Sequence, residues 1–279
     1  AGRVGRRNKL KVILPPAATR PKSAPEDPKS ASGRSGSPEL YSLPPPDRLR
    51  FMTPLDEGIH WQLERYFEVL LPCPLARVSR WLPTGTHALE PSPGQALLSL
   101  GCLRFHAGNL GELPAFDELA VAVSILNPAP AQSSDFDFAT VTITSPCERF
   151  LELAAEIDKM PTTRCPGLRF EWSDNPLRVR IEDDVGPIAT LVSSDEAAQV
   201  DLDLQAHSLQ ARSDGTWLGR VRWRGRGALL VQPQCNVELH PHLFWAELPR
   251  DEIASSPLMA LVAGPGELAM TFMPPRPWP

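Results

Sequence analysis

From residue 168 onwards the chain is built of short runs in which every second residue is apolar, and this period confines it to strands with one wet face. Leu168, Phe170 and Trp172 alternate with Arg169 and Glu171, and Leu177, Val179 and Ile181 alternate with Arg178 and Arg180. Val200, Leu202 and Leu204 then face Val221 and Trp223 across the Ser213-Asp214-Gly215 turn, which reads as a hairpin. Upstream, Leu63 to Leu71, Gln95 to Phe105 and Leu119 to Leu126 are apolar runs of strand length, and Phe138 to Thr144 is β-branched and alternating. A last strand is expected over Asn236 to Trp245, interrupted at Pro241, with a helix from Arg250 to Val262. Many antiparallel strands with few helices predict a β-dominated α+β domain, a strongly curved sheet or β-barrel.

Two helices interrupt this pattern. Leu75, Val78 and Trp81-Leu82 recur at helical spacing before Pro83. Ser145-Pro146-Cys147-Glu148 is a capping box with proline at the first helical position, and Phe150, Leu153-Ala154 and Ile157 follow on one face. That predicts a helix over 146–158 with Lys159 at its C-terminus.

The first 46 residues differ in kind. Pro15-Pro16, Pro21 to Pro28 and Pro44-Pro45-Pro46 stand among Ser, Gly and Arg with little to bury, so this stretch is expected to be a disordered tail before a single domain over 47–279. It also holds most of the positive charge. Residues 1–50 carry 11 Lys/Arg against 4 Asp/Glu, while the remainder carries 17 against 29. An acidic body without a basic face argues against nucleic acid as a partner. No run approaches 18 apolar residues, so no membrane helix is expected, and five widely spaced cysteines without a CxxC pair suggest neither a disulfide framework nor a zinc site. A reducing cytoplasm fits that cysteine usage.

Lysine usage bears on chemistry. Of five lysines only Lys159 follows residue 50. Imine formation with a carbonyl substrate needs a lysine amine whose pKa is lowered, and among residues after the tail only Lys159 could serve. At a helix C-terminus beside Glu156 and Asp158, however, an ammonium is stabilised and its pKa is driven up from about 10.4, away from the 7 to 8 that such chemistry requires. Lys159 therefore reads as a helix-end cation.

Taken in order, the elements resemble the acetoacetate decarboxylase family. The resemblance runs from Arg65-Tyr66-Phe67-Glu68-Val69-Leu70-Leu71 through a short helix ending at Leu82-Pro83, a Leu89-Glu90-Pro91 step, the Gly108-Asn109-Leu110-Gly111 loop and Phe116-Asp117-Glu118 to the proline turn Met160-Pro161. That family places an imine-forming lysine and a second lysine directly after this proline. Here the two positions are Thr162 and Thr163, which have no amine. The resemblance further implies Glu118 as an acidic pocket residue and Arg65 near the position of a pocket arginine, while a second pocket glutamate falls at Leu100 and is missing. It implies a cavity for a small keto-acid, acyl or apolar ligand, with Arg65, Glu118, Thr162 and Thr163 as contacts, no cofactor and a possible homo-oligomer.

Other readings stand beside this one. Glu118 could be the acid/base of a divergent lyase or hydrolase, or the chain could be a lipocalin-like or structural barrel. His240-Pro241-His242 places two imidazoles on one face of a strand, with Glu238, His87 or His106 as a conceivable third zinc ligand, but partly exposed histidines are the simpler reading and no metal is expected. Cys147 and Cys165 bracket the proline turn and read as small buried apolar groups.

Overall fold

The computed structural model describes residues 59–111, 113–126, 136–156, 160–193, 199–212, 215–231 and 234–276, all within the compact unit Pro45–Pro279. The tail 1–46 and Lys159 lie outside the described residues. Twelve strands and two short helices follow one another: β1 (Ile59–Pro74), α1 (Leu75–Val78), β2 (Gln95–Phe105), β3 (Phe116–Ser124), β4 (Phe136–Ser145), α2 (Glu148–Glu156), β5 (Thr162–Arg164), β6 (Arg169–Asp174), β7 (Leu177–Glu182), β8 (Pro187–Ser193), β9 (Val200–Arg212), β10 (Gly215–Val231), β11 (Cys235–Leu239) and β12 (Met259–Arg276).

Seven strands in the order β3-β2-β1-β12-β10-β9-β4 close into a barrel because β4 also pairs with β3, and β5 adds a short parallel edge to β4. The seams are antiparallel except β4 with β9, which run parallel over Phe136–Ala139 and Ala206–Leu209, so the sheet is mixed where antiparallel pairing was expected. A second, antiparallel sheet in the order β11-β8-β7-β6 packs on the outside. Phe67, Val69 and Leu71 of β1 meet Val179, Ile181, Ile188 and Leu191 there in the main apolar core. A separate apolar cluster fills one end of the barrel, where α2 brings Phe150, Leu151 and Ala154 against Trp61, Phe105 and Phe116.

The alternating runs form strands as expected, and Gln95–Phe105 and the β9–β10 hairpin follow the sequence reading closely. Strand β1 extends beyond the apolar run to Pro74. Its proline nitrogens cost nothing, since pairing with β12 ends at Leu70 and Pro72 and Pro74 pair only with β2. Ser145 Oγ accepts the Cys147 N–H at 3.2 Å and donates to the Asp117 carbonyl at 2.7 Å, which ties the start of α2 to β3.

The C-terminal reading needs correction. In place of a helix from Arg250 to Val262 there is a 3₁₀ turn, Arg250–Glu252, followed by the long strand β12. Ala260 faces the outer core while Leu261 lines the barrel, so both faces are buried and Met259 to Ala263 is an unbroken apolar run with no period of two. Likewise β11 stops at Leu239, and Leu243–Trp245 is a 3₁₀ turn in which His242 Nδ1 accepts the Phe244 N–H at 3.0 Å.

Candidate functional site

One irregularity in β1 decides which side chains enter the barrel. Pairing with β2 shifts between Leu63 and Arg65, and a bulge of this kind turns the following residues to the other face. Trp61 faces inwards before it, and Tyr66, Glu68 and Leu70 face inwards after it. Register then aligns Tyr66 with Leu103 and Glu118, Glu68 with Gly101 and Ala120, and Leu70 with Ser99 and Ala122. Glycine and alanine beside Glu68 leave its carboxyl facing open space.

That space is a cavity of about 150 Å³ inside the barrel. Its walls are mostly apolar, and Trp223 lies in them as a flat plate because Gly225 and Gly266 carry no side chain. A Cβ on Gly266 would stand 3.1 Å from the indole nitrogen and 2.6 Å from the Arg224 carbonyl oxygen. The polar lining gathers around Glu68. Tyr66 donates its phenol to Glu68 Oε2 at 2.6 Å, and Ser99 donates its hydroxyl to Oε1 at 2.5 Å. Burial, reinforced by the Glu68 and Glu118 carboxylates, pushes the Tyr66 phenol well above its ordinary range, so it remains a donor. Glu118 is buried on the same wall. Further along, Asp137 accepts both the backbone N–H and the ring Nδ1–H of His207, the latter at 2.9 Å, and the Thr140 hydroxyl pairs with that of Ser208 at 3.0 Å. Among the described residues, no lysine, arginine or histidine lines the cavity.

Of the residues singled out from the sequence, Glu118 lines the cavity and Arg65 does not. The bulge turns Arg65 outwards, where it forms an ion pair with Asp174 at 2.7 Å and its guanidinium lies 5.7 Å from the Trp172 ring. Thr162 is in register with Ile143, a cavity-lining residue, yet is not itself in the wall, and Thr163 shares a hydrogen bond with Thr142 at 3.0 Å on the exposed side. The wall beside the proline turn is supplied by Met160. His240 and His242 turn to separate partners: Thr190 at 3.1 Å and Asp183 at 3.0 Å. Cys165 points to Asp183 rather than the cavity, and burial together with that carboxylate pushes its thiol up to about 11.

Sequence reasoning missed Glu68, Tyr66 and Ser99. A second carboxylate was sought at Leu100 on β2, next to Gly101, whereas the chain supplies one from the neighbouring strand at the same level. The signal was present in Tyr66-Phe67-Glu68-Val69-Leu70-Leu71, where a single charge interrupts a strand otherwise rich in apolar residues.

No family model matches the chain, and no curated protein matches it in sequence. Solved structures do resemble it. One described as structural studies of acetoacetate decarboxylase aligns with a TM-score of 0.52 at 13% identity, covering 78% of this chain and 90% of that one. Acetoacetate decarboxylase from Legionella pneumophila aligns at 0.51 and 16% identity, covering 88% and 98% respectively. The enduracididine biosynthesis enzyme MppR with HEPES buffer bound aligns at 0.51 and 13% identity, covering 88% and 97%. The chain thus has the acetoacetate decarboxylase-like fold.

Proposed function

We propose that the barrel interior binds a small, uncharged, mainly apolar molecule through a hydroxyl group that donates to the carboxylates of Glu118 and Glu68, and that the protein does not decarboxylate through an imine. The observation carrying this reading is the convergence of Tyr66, Glu68, Ser99 and Glu118 on one apolar cavity. A few placed polar groups in a concave apolar wall are what a small-molecule site requires.

Charge narrows the ligand. A carboxylate 4 Å from a like charge is repelled by roughly 4 kcal/mol at an effective dielectric constant of 20. With the Glu68 carboxylate facing the cavity between two neutral hydroxyls, and no cation among the described residues of the wall, a neutral ligand is favoured over the keto-acid that the family resemblance implies. Thr162 and Thr163 offer no amine at the proline turn, and Lys159 reads as a helix-end cation. Treatment with acetoacetate and borohydride is expected to leave the intact mass unchanged, and a stable adduct on Lys159 would refute this half of the proposal. Native mass spectrometry of the purified protein is expected to reveal a neutral passenger released on unfolding. Protein that is empty, and that takes up no neutral alcohol, would refute the other half.

A second reading gives Glu118 an acid/base role, favoured by its burial in a mostly apolar wall. It requires that Glu118→Gln keep ligand affinity and lose turnover of an identified substrate. Full turnover in that variant would remove it.

A further inference from the structure

We infer that the ligand is amphipathic, with an alkyl chain too long for the cavity that leaves the barrel across the exposed Leu229 and Val231 of β10. This rests on the binding reading above and specifies the chemistry at the other end of the ligand.

The two ends of the cavity differ. Behind Trp61 it is sealed by stacked aromatic rings, with the Phe105 and Phe116 centroids 4.6 Å apart and those of Phe116 and Phe150 4.7 Å apart. At the opposite end the inward-facing apolar residues are exposed. Register between β10 and β9 ends at Gly227, opposite Val200, so among the described residues Ala228–Val231 pairs only with β12. Leu229 lines the cavity yet is 41% exposed, and Val231, on the same face two residues on, is 62% exposed. Between them and the polar groups lie Leu261, 6% exposed, and Leu70, 9% exposed. Exposure of inward-facing apolar residues therefore rises steadily towards this edge, which is the signature of a mouth.

The mouth lies close to the polar groups. Leu229 is in register with Leu261, and Leu261 with Glu68, so two strand spacings, about 10 Å, separate the carboxylate from the edge. No charged residue interrupts that path: Leu70, Met259, Leu261 and Leu229 line it. A cavity of about 150 Å³ is of the size that holds a benzene ring, roughly six carbons. A longer chain with its head at Glu68 follows this apolar path and covers Leu229 and Val231 as it leaves.

The experiment is a calorimetric series of straight-chain primary alcohols from butanol to decanol on the full-length protein. Affinity is expected to rise about four-fold per methylene up to hexanol and to go on rising, about two-fold per methylene, to decanol as the chain lies against the half-exposed mouth. Leu229→Gln is expected to weaken decanol at least five-fold while hexanol stays within two-fold. Val231→Gln, at a more exposed position, should act in the same direction if the first variant folds poorly. A plateau beyond hexanol, or equal loss for both alcohols in a folded Leu229→Gln variant, would overturn the mouth and leave the cavity reading intact. Failure of every alcohol to bind would remove both.

Discussion

The two faces of strands β1 to β3 show the same chain segments put to opposite uses. Outwards, Phe67, Val69, Leu71, Leu100, Cys102, Leu119 and Val121 are buried against the second sheet, and the buried carboxylate there, Asp117, is fully tied up by Arg104 and the Phe170 N–H. Inwards, one residue out of phase, the same strands present Tyr66, Glu68, Ser99, Gly101, Glu118 and Ala120 to a cavity. The outer face is filled with large apolar groups, whereas the inner face mixes carboxyls with glycine and alanine, which neither fill space nor repel water. A face built that way cannot hold itself together, so the packed side must supply the stability that the hollow side forgoes.

Truncation on the packed side should do most to break this contrast. Phe67→Ala is expected to cost about 3–5 kcal/mol in urea unfolding, and a loss below about 1 kcal/mol would mean the outer core is no tighter than the cavity wall. Glu68→Gln, on the hollow side, should change stability by less than about 1 kcal/mol, since it removes a part-buried charge and keeps the shape, while lowering alcohol affinity several-fold. It should also bring the Tyr66 phenol down towards its ordinary value without reaching it. Burial is the first cause of the upward shift and the Glu68 charge the second, and with only two tyrosines in the chain an ultraviolet titration can follow it.

The smallest effect concerns Asp183, beside the second sheet. Burial alone would raise its carboxyl, but the N–H groups of Val185 and Gly186, with Cys165 and His242, outweigh burial and hold it below its reference value of 3.8. A carboxyl depressed in the folded state contributes stability above its unfolded pKa and loses that contribution as pH falls through the folded one. Asp183→Asn should therefore be less stable than the parent at pH 7, with the gap closing below about pH 4. A gap that persists unchanged to pH 2 would mean that shape rather than charge is what Asp183 provides.

Strands with one wet face were legible because alternation survives wherever one side meets solvent, as in β6, β7 and β9. β12 was misread because it is buried on both sides where it passes the cavity, and a strand with two dry faces has no period to detect. At the site, Glu118 was found through the resemblance, yet Arg65 was misplaced by a bulge that no composition or spacing announces. Glu68 was passed over for a related reason: register across strands, which brings it level with Gly101 and Ala120, is set by partners distant in sequence. The hollowing of the barrel is visible only once those three positions are known to be neighbours.

The parallel seam between β4 and β9 also governs how the cavity comes into being. It joins residues seventy positions apart, as in the Asp137–His207 pair, through four residue pairs, whereas the β9–β10 hairpin forms locally. Contacts between distant segments bear the full entropy of loop closure, and parallel pairing is slow for that reason. By the same argument hairpins are expected to form first and the long-range β4–β9 and β1–β12 seams last, with no enclosed space before both close. A molecule that fits the cavity binds the finished barrel and not its precursors, so it draws the chain towards completion by mass action. A ligand bound there would be part of the folding equilibrium as well as cargo.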